Sequence, residues 1–233
     1  MAEPLPPLAP GTADDEDLAR LDEDEIAPVQ VPSDLGLVEL FRRVAPTPEL
    51  PLRAEHEMGF SALVRSLSGI IDIGLLEDRR VRRLLDRLGD RLSVAVSPEG
   101  ITVRGVVRER RTPWPRVQQL TFVSRYEMLR GGLVNQLAED MSKYLPPVPG
   151  LKWLLRRIVG GMATLYERRQ YTGDEVDALR AELGFVLTHI ERRGLDIELS
   201  GPLRFVSFFS SGLSSAIERE ATDRGVKVVR ADL

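Results

Sequence analysis

GITVRGVVRERRTPWPRVQQLTF, Gly100 to Phe122, is the stretch whose reading decides the fold. Ile101, Val103 and Val106 recur with a period close to two. Upstream, Leu92, Val94 and Val96 alternate in the same way, and Ser97-Pro98-Glu99-Gly100 lies between the two runs. Period-two apolar patterning puts one face of a strand into a core, and Ser, Pro and Gly supply the turn chemistry. The segment therefore predicts a β-hairpin. Downstream, Val117, Leu120, Phe122 and Val123 predict a third strand, joined to the hairpin through Thr112-Pro113-Trp114-Pro115-Arg116. A proline has no N–H for a sheet ladder, so Pro113 and Pro115 mark a strand end or an exposed edge. Trp114, between them, has a large apolar ring that can fold back onto the sheet.

These residues resemble the early strands of bacterial pleckstrin-homology-like (PH-like) domains. In those domains a strand opening with Gly-apolar-x-Val-Arg, here Gly100 to Arg104, leads through Arg-Arg-x-Pro-Trp, here Arg110 to Trp114, into a further strand. The resemblance implies an antiparallel half-barrel of seven strands closed by a C-terminal helix. Here the strands are interrupted, because a mostly helical stretch runs from Arg125 to Gly194. Strand character then returns in LDIELSGPLRFVSFF, followed by the helix-like SGLSSAIEREATDRG and the strand-like VKVVRA. The expected fold class is thus α+β: a PH-like antiparallel half-barrel split by a helical insertion, with N-terminal helices and a disordered acidic tail. The expected division is a tail over 1–33, a helical region over 34–90, and a PH-like domain over 91–233 with its insertion at about 125–194.

Periodicity supports the flanking parts. Leu37, Leu40, Phe41 and Val44 form one face of a short helix, with Ser33 or Asp34 as its cap. From Glu55 onward Phe60, Leu63, Val64, Leu67, Ile70 and Ile71 recur at three and four, and Leu75, Leu76, Val81, Leu84, Leu85 and Leu88 continue the pattern after Gly74. Within the insertion three helices are expected, over 125–145, 151–169 and 172–194, the last with Thr172 as cap and Gly194 as stop.

Charge divides the chain. Residues 1–34 hold ten acids against Arg20 alone, a charge of −9, which leaves 31 basic and 26 acidic residues, or +5, in the remainder. A Pro-rich acidic segment with scattered single hydrophobics buries too little to offset its ordering entropy. The alternative is that the leader folds back over a basic surface and competes there with an anionic partner. The start lacks the basic and apolar segments of a secretory signal, and no window approaches the length of a membrane span, so the expected location is cytoplasmic, with the inner membrane face as a peripheral station.

Chemistry-bearing patterns are few. There is no cysteine, and His56 and His189 are too far apart in sequence to suggest a metal pair. No phosphate loop or nucleophile elbow occurs, so catalytic, cofactor and metal residues are each expected to be none. The most functional-looking segment is LKWLLRRIVGGMATLYERR, where Leu151, Leu154, Leu155, Ile158, Met162 and Leu165 form an apolar stripe beside Lys152, Arg156, Arg157, Arg168 and Arg169. Lys152, Trp153, Arg156 and Arg157 are its candidate partner- or membrane-binding residues, since a basic amphipathic helix with tryptophan suits an anionic interface. The competing reading makes the stripe core and the cations a wetted face.

A second resemblance is to STAS domains, regulatory modules in which a strand runs into an Asp-Ser-Ser-Gly-Leu turn and a helix. Ser210, Ser211, Gly212 and Leu213 match that turn, whereas Phe209 stands at the acid's place. Ser210 and Ser211 read more simply as helix caps than as phosphate acceptors. Together these features predict a non-enzymatic binding or scaffold protein working through protein–protein or peripheral membrane contacts. A protein partner is favoured, an anionic membrane surface comes second, and nucleic acid is disfavoured because RERR lacks interleaved aromatics. The alternatives are a STAS-like regulatory module, or a hydrolase or transferase with an unrecognised carboxylate site.

Overall fold

A computed structural model describes Pro32, 35–45, 47–70, 79–88, 91–105, 108–130, Ile158, Leu165 and 173–231. Among these residues the chain is α+β and builds two open four-stranded sheets rather than a closed barrel. The first sheet contains β1 (His56–Gly59), β2 (Ser93–Ser97), β3 (Gly100–Arg104) and β4 (Glu109–Pro113), in that order and wholly antiparallel. The hairpin forms in the expected register: Val94 faces Val103, Val96 faces Ile101, and all four are buried.

Two strands of this sheet carry little apolar alternation. β4 is Glu-Arg-Arg-Thr-Pro, and only its Thr112 is buried. β1 lies where the three-four pattern had extended the helix back to Glu55. Gly100 explains the glycine that opens the motif, because a Cβ there would lie 2.2 Å from the Thr112 carbonyl oxygen and 2.8 Å from the Pro113 Cα. Only a residue without a side chain lets β3 and β4 come this close.

The chain leaves the first sheet through the 3₁₀ turn Trp114–Arg116 and enters the second as β5 (Val117–Ser124). So the expected third strand exists, but it does not pair with the hairpin. The order of the second sheet is β7-β6-β5-β8, with β6 at Phe185–Arg192, β7 at Ile197–Glu198 and β8 at Lys227–Ala231. β5 and β6 are antiparallel, whereas β8 lies parallel to β5, an exception to the antiparallel expectation. A parallel neighbour needs a long crossover. Here the crossover is made by the helices between β7 and β8.

The described helices are α1 (Leu37–Val44), α2 (Phe60–Ile70), α3 (Arg79–Leu88), α4 (Arg125–Arg130), α5 (Asp174–Leu183), α6 (Pro202–Phe209) and α7 (Ser211–Asp223). The predicted face of α1 is fully buried, and Phe60, Leu63, Val64 and Leu67 of α2 are buried with it. α6 and α7 touch strands of both sheets, so they fill the space between them. There Phe41, Phe60, Phe205, Phe208 and Phe209 make an aromatic cluster with centroids 4.8–5.9 Å apart.

Three expectations are corrected. The helix expected over 172–194 ends at Leu183, because Gly184 adopts φ 64°, a left-handed conformation suited to glycine. The chain then extends as β6. The aromatic run RFVSFF, expected as strand, is part of α6. Phe205 to Phe209 are all buried, between the two sheets, α2 and α7, so no period-two pattern constrains them. The caps also differ: α1 has Gly36 at its N-cap and α5 has Gly173, while Ser210 precedes α7 without capping it through its side chain. The Ser210 hydroxyl instead donates back to the Val206 carbonyl at 2.6 Å. The acidic tail over 1–31, the segment 131–157 and Thr172 lie outside the described residues.

Candidate functional site

Trp114 fixes the corner where the first sheet passes into the second. Its ring is buried, its indole N–H donates to the Ser97 carbonyl at 3.0 Å, and its backbone N–H donates to the Glu99 carbonyl at 3.0 Å. The Arg224 guanidinium lies over the ring at 5.4 Å. Arg224 donates through Nε and an Nη to Glu220, whose other oxygen accepts the Leu52 N–H at 3.2 Å. The corner is thereby tied to α7 and to the segment before β1.

Cations lie at this corner and along the β4 strand that leads into it. Arg108, Arg111, Arg116, Arg193 and Lys227 are exposed, and Arg110 and Arg192 are half-buried. The sheet register brings four of them together: Arg192 pairs opposite Val117, the Arg193 N–H donates to the Arg116 carbonyl at 3.3 Å, and Lys227 stands opposite Gln119. Arg111 approaches Glu99 at 3.8 Å with both side chains mostly in water, a pair of little energetic weight. Glu99 is held below the ordinary carboxylate range, first by its hydrogen bond to the Ser97 side chain and to a smaller extent by Arg111 and Arg224. Glu191, half-buried and opposite Gln119, is a further acid on β6.

Two further arginines are committed to structure. Arg104 bridges Glu55 at 3.2 Å, Glu57 at 2.5 Å and Glu109 at 3.1 Å, lacing β1, β3 and β4 together. Burial alone would lower its pKa, but the hydrogen bonds to Glu57 and Glu109 outweigh that and raise it. Arg125 is fully buried and has no carboxylate partner among the described residues. It donates to the carbonyls of Leu183, Phe185 (3.0 Å) and Phe208 (2.6 Å), and it lies 5.0 Å from the Phe41 ring centroid. Leu183 and Phe208 sit at the C-terminal ends of α5 and α6, where carbonyls lack helical partners and the dipole favours a cation. Burial pushes the guanidinium pKa down to about 9, so it is charged at neutral pH.

The residues singled out from sequence fall differently. Lys152, Trp153, Arg156 and Arg157 lie outside the described residues; of the same stripe, Ile158 and Leu165 are helical and buried at 2% and 3% exposure. His56 is in β1, and His189 in β6 lies 3.9 Å from Asp196. Ser210 is fully buried, and Ser211 donates to the Phe41 carbonyl at 3.3 Å. The turn they form is preceded by a helix, which lacks the strand-to-helix order of the STAS comparison. The corner itself was not singled out, although its basic run is visible at Arg108 to Arg111. Arg192, Arg193 and Lys227 join it only through strand register.

No helix among the described residues is long and apolar enough to cross a membrane. Comparison with known proteins gives one family: residues 91–140 match the model described as Bacterial PH domain, which covers β2 to β5 and α4. The resemblance read from Gly100 to Phe122 lies within that span, and PH-type domains commonly serve binding. No curated protein matches, and no solved structure matches.

Proposed function

We propose that this chain is a non-enzymatic binding or scaffold protein, and that its basic corner is the surface that meets an anionic protein partner. The observation that carries this reading is the grouping of Arg116, Arg192, Arg193 and Lys227 at the Trp114 turn, continued along β4 by Arg110 and Arg108, all without an ion pair among the described residues. Cations left without acids keep their charge available to a partner, and a rigid frame lowers the ordering cost of meeting it. The PH-like sheet supports the same class of role.

The test compares the full chain with a variant carrying Arg108→Gln, Arg111→Gln, Arg116→Gln and Arg193→Gln. Proteins crosslinked to the native chain in cells should be lost from the variant, while the melting temperature stays within a few degrees. Binding should also weaken as salt screens the surface. An unchanged set of crosslinked proteins would contradict the reading. Sedimentation of the native chain with phosphatidylserine vesicles, in the absence of any protein partner, would favour the membrane surface instead.

A further inference from the structure

We propose that the open edge of β4 accepts an extended acidic polypeptide as an added strand of the first sheet. This rests on the binding role above and specifies the partner's chemistry. Within the β3–β4 register, the Gly105 N–H donates to the Arg108 carbonyl and the Trp114 N–H donates to the Glu99 carbonyl. Hydrogen-bonded pairs alternate with non-bonded pairs along an antiparallel ladder. The same parity therefore turns the backbone groups of Arg110 and Thr112 toward β3, and those of Glu109, Arg111 and Pro113 outward.

No strand covers that outward side among the described residues. The edge offers the N–H groups of Glu109 and Arg111 and the carbonyls of Glu109, Arg111 and Pro113, while Pro113 brings no N–H. This is the donor and acceptor row that strand addition uses.

Charge selects the occupant. Basic residues and a proline are common protection for an exposed edge. Arg108, Arg110 and Arg111 repel a second copy of β4, so edge-to-edge pairing of two chains is disfavoured, and the same charges attract an acidic strand. Arg110 and Arg111 project to opposite faces, since Arg110 stands opposite Val103 and Arg111 opposite Thr102. An added strand thus meets a cation on each face. The acid on β4, Glu109, is already held by Arg104 at 3.1 Å. A membrane surface or a nucleic acid can use the cations, but neither presents amides and carbonyls at strand spacing to the edge.

The probe is a labelled eight-residue peptide of alternating Glu and Thr, titrated into the full chain at low and high salt, with a Lys/Thr peptide as control. The acidic peptide is expected to bind at low salt and to slow amide exchange at Glu109 and Arg111. Arg111→Gln should weaken binding only modestly. Arg111→Pro, which removes the outward N–H at an edge position where proline is tolerated, should weaken it by a further factor of about ten. Binding by Arg111→Pro protein as tight as by Arg111→Gln protein, absence of binding at low salt, equal binding of the Lys/Thr peptide, or binding without slowed exchange at Glu109 and Arg111 would each overturn the proposal. Exchange on the native chain decides the matter if a proline variant does not fold. The Gln variant of the corner tests the wider reading separately, because loss of peptide pairing with retained, corner-dependent protein contacts removes this inference alone.

Discussion

Replacing Trp114 by Ala removes the anchor of the corner, and the structure sets the size of the loss. The side chain is 4% exposed. A buried tryptophan withdraws about 150–250 Å² from water, which at roughly 25 cal/mol per Å² is about 4–6 kcal/mol before allowing for residual burial in the unfolded chain. That allowance lowers the figure to about 3–5 kcal/mol, the range seen for large aromatic truncations in cores. Trp114→Phe separates the terms: it keeps most of the apolar contact but leaves the Ser97 carbonyl without its indole donor, for a loss of about 1–3 kcal/mol. Urea unfolding followed by far-UV circular dichroism gives both values. A loss below about 1 kcal/mol for Trp114→Ala would refute the anchoring role and leave Trp114 as a surface ring.

Other substitutions probe the remaining supports. Gly100→Ala should cost about 1–3 kcal/mol, because the new methyl group meets the β4 backbone rather than a movable side chain, and a near-neutral unfolding curve would count against that close approach. Arg125→Met should cost about 3–5 kcal/mol, since three carbonyls lose their donor inside the core; chemical denaturation would expose the error if the variant equals the native chain. Glu220→Ala should cost about 1–3 kcal/mol by leaving the Leu52 N–H unpaired and freeing Arg224 from its place over Trp114, a change that thermal melting together with Trp114 fluorescence would register.

The parts of the fold legible in sequence are those where one face is buried and the other wet. The hairpin was readable because Val94, Val96, Ile101 and Val103 alternate around a turn, and α1 because Leu37, Leu40, Phe41 and Val44 recur at three and four. Where burial is all-round the period carries no information, and so Phe205 to Phe209 reads as strand although it is helix. β6 met the opposite difficulty: Val186, Leu187 and Ile190 fit helical spacing until Gly184 breaks the helix. β4 was missed because an edge strand of Glu-Arg-Arg has no apolar alternation. The corner is only half legible for a related reason. Arg108 to Arg111 form a visible run, but Arg192 and Lys227 approach it through pairings made across 75 and 108 residues of chain. Arg125 gave no sign at all, since an arginine capping two helix ends is indistinguishable in sequence from one in water.

Amide hydrogen exchange along β4 in the unliganded full chain tests the central claim most directly. An open, outward-facing edge predicts slow exchange at Arg110 and Thr112, whose N–H groups point into β3, and fast exchange at Glu109 and Arg111 between and beside them. Equal protection at all four amides would mean that the edge is already covered, and would contradict the account of β4 as a binding surface.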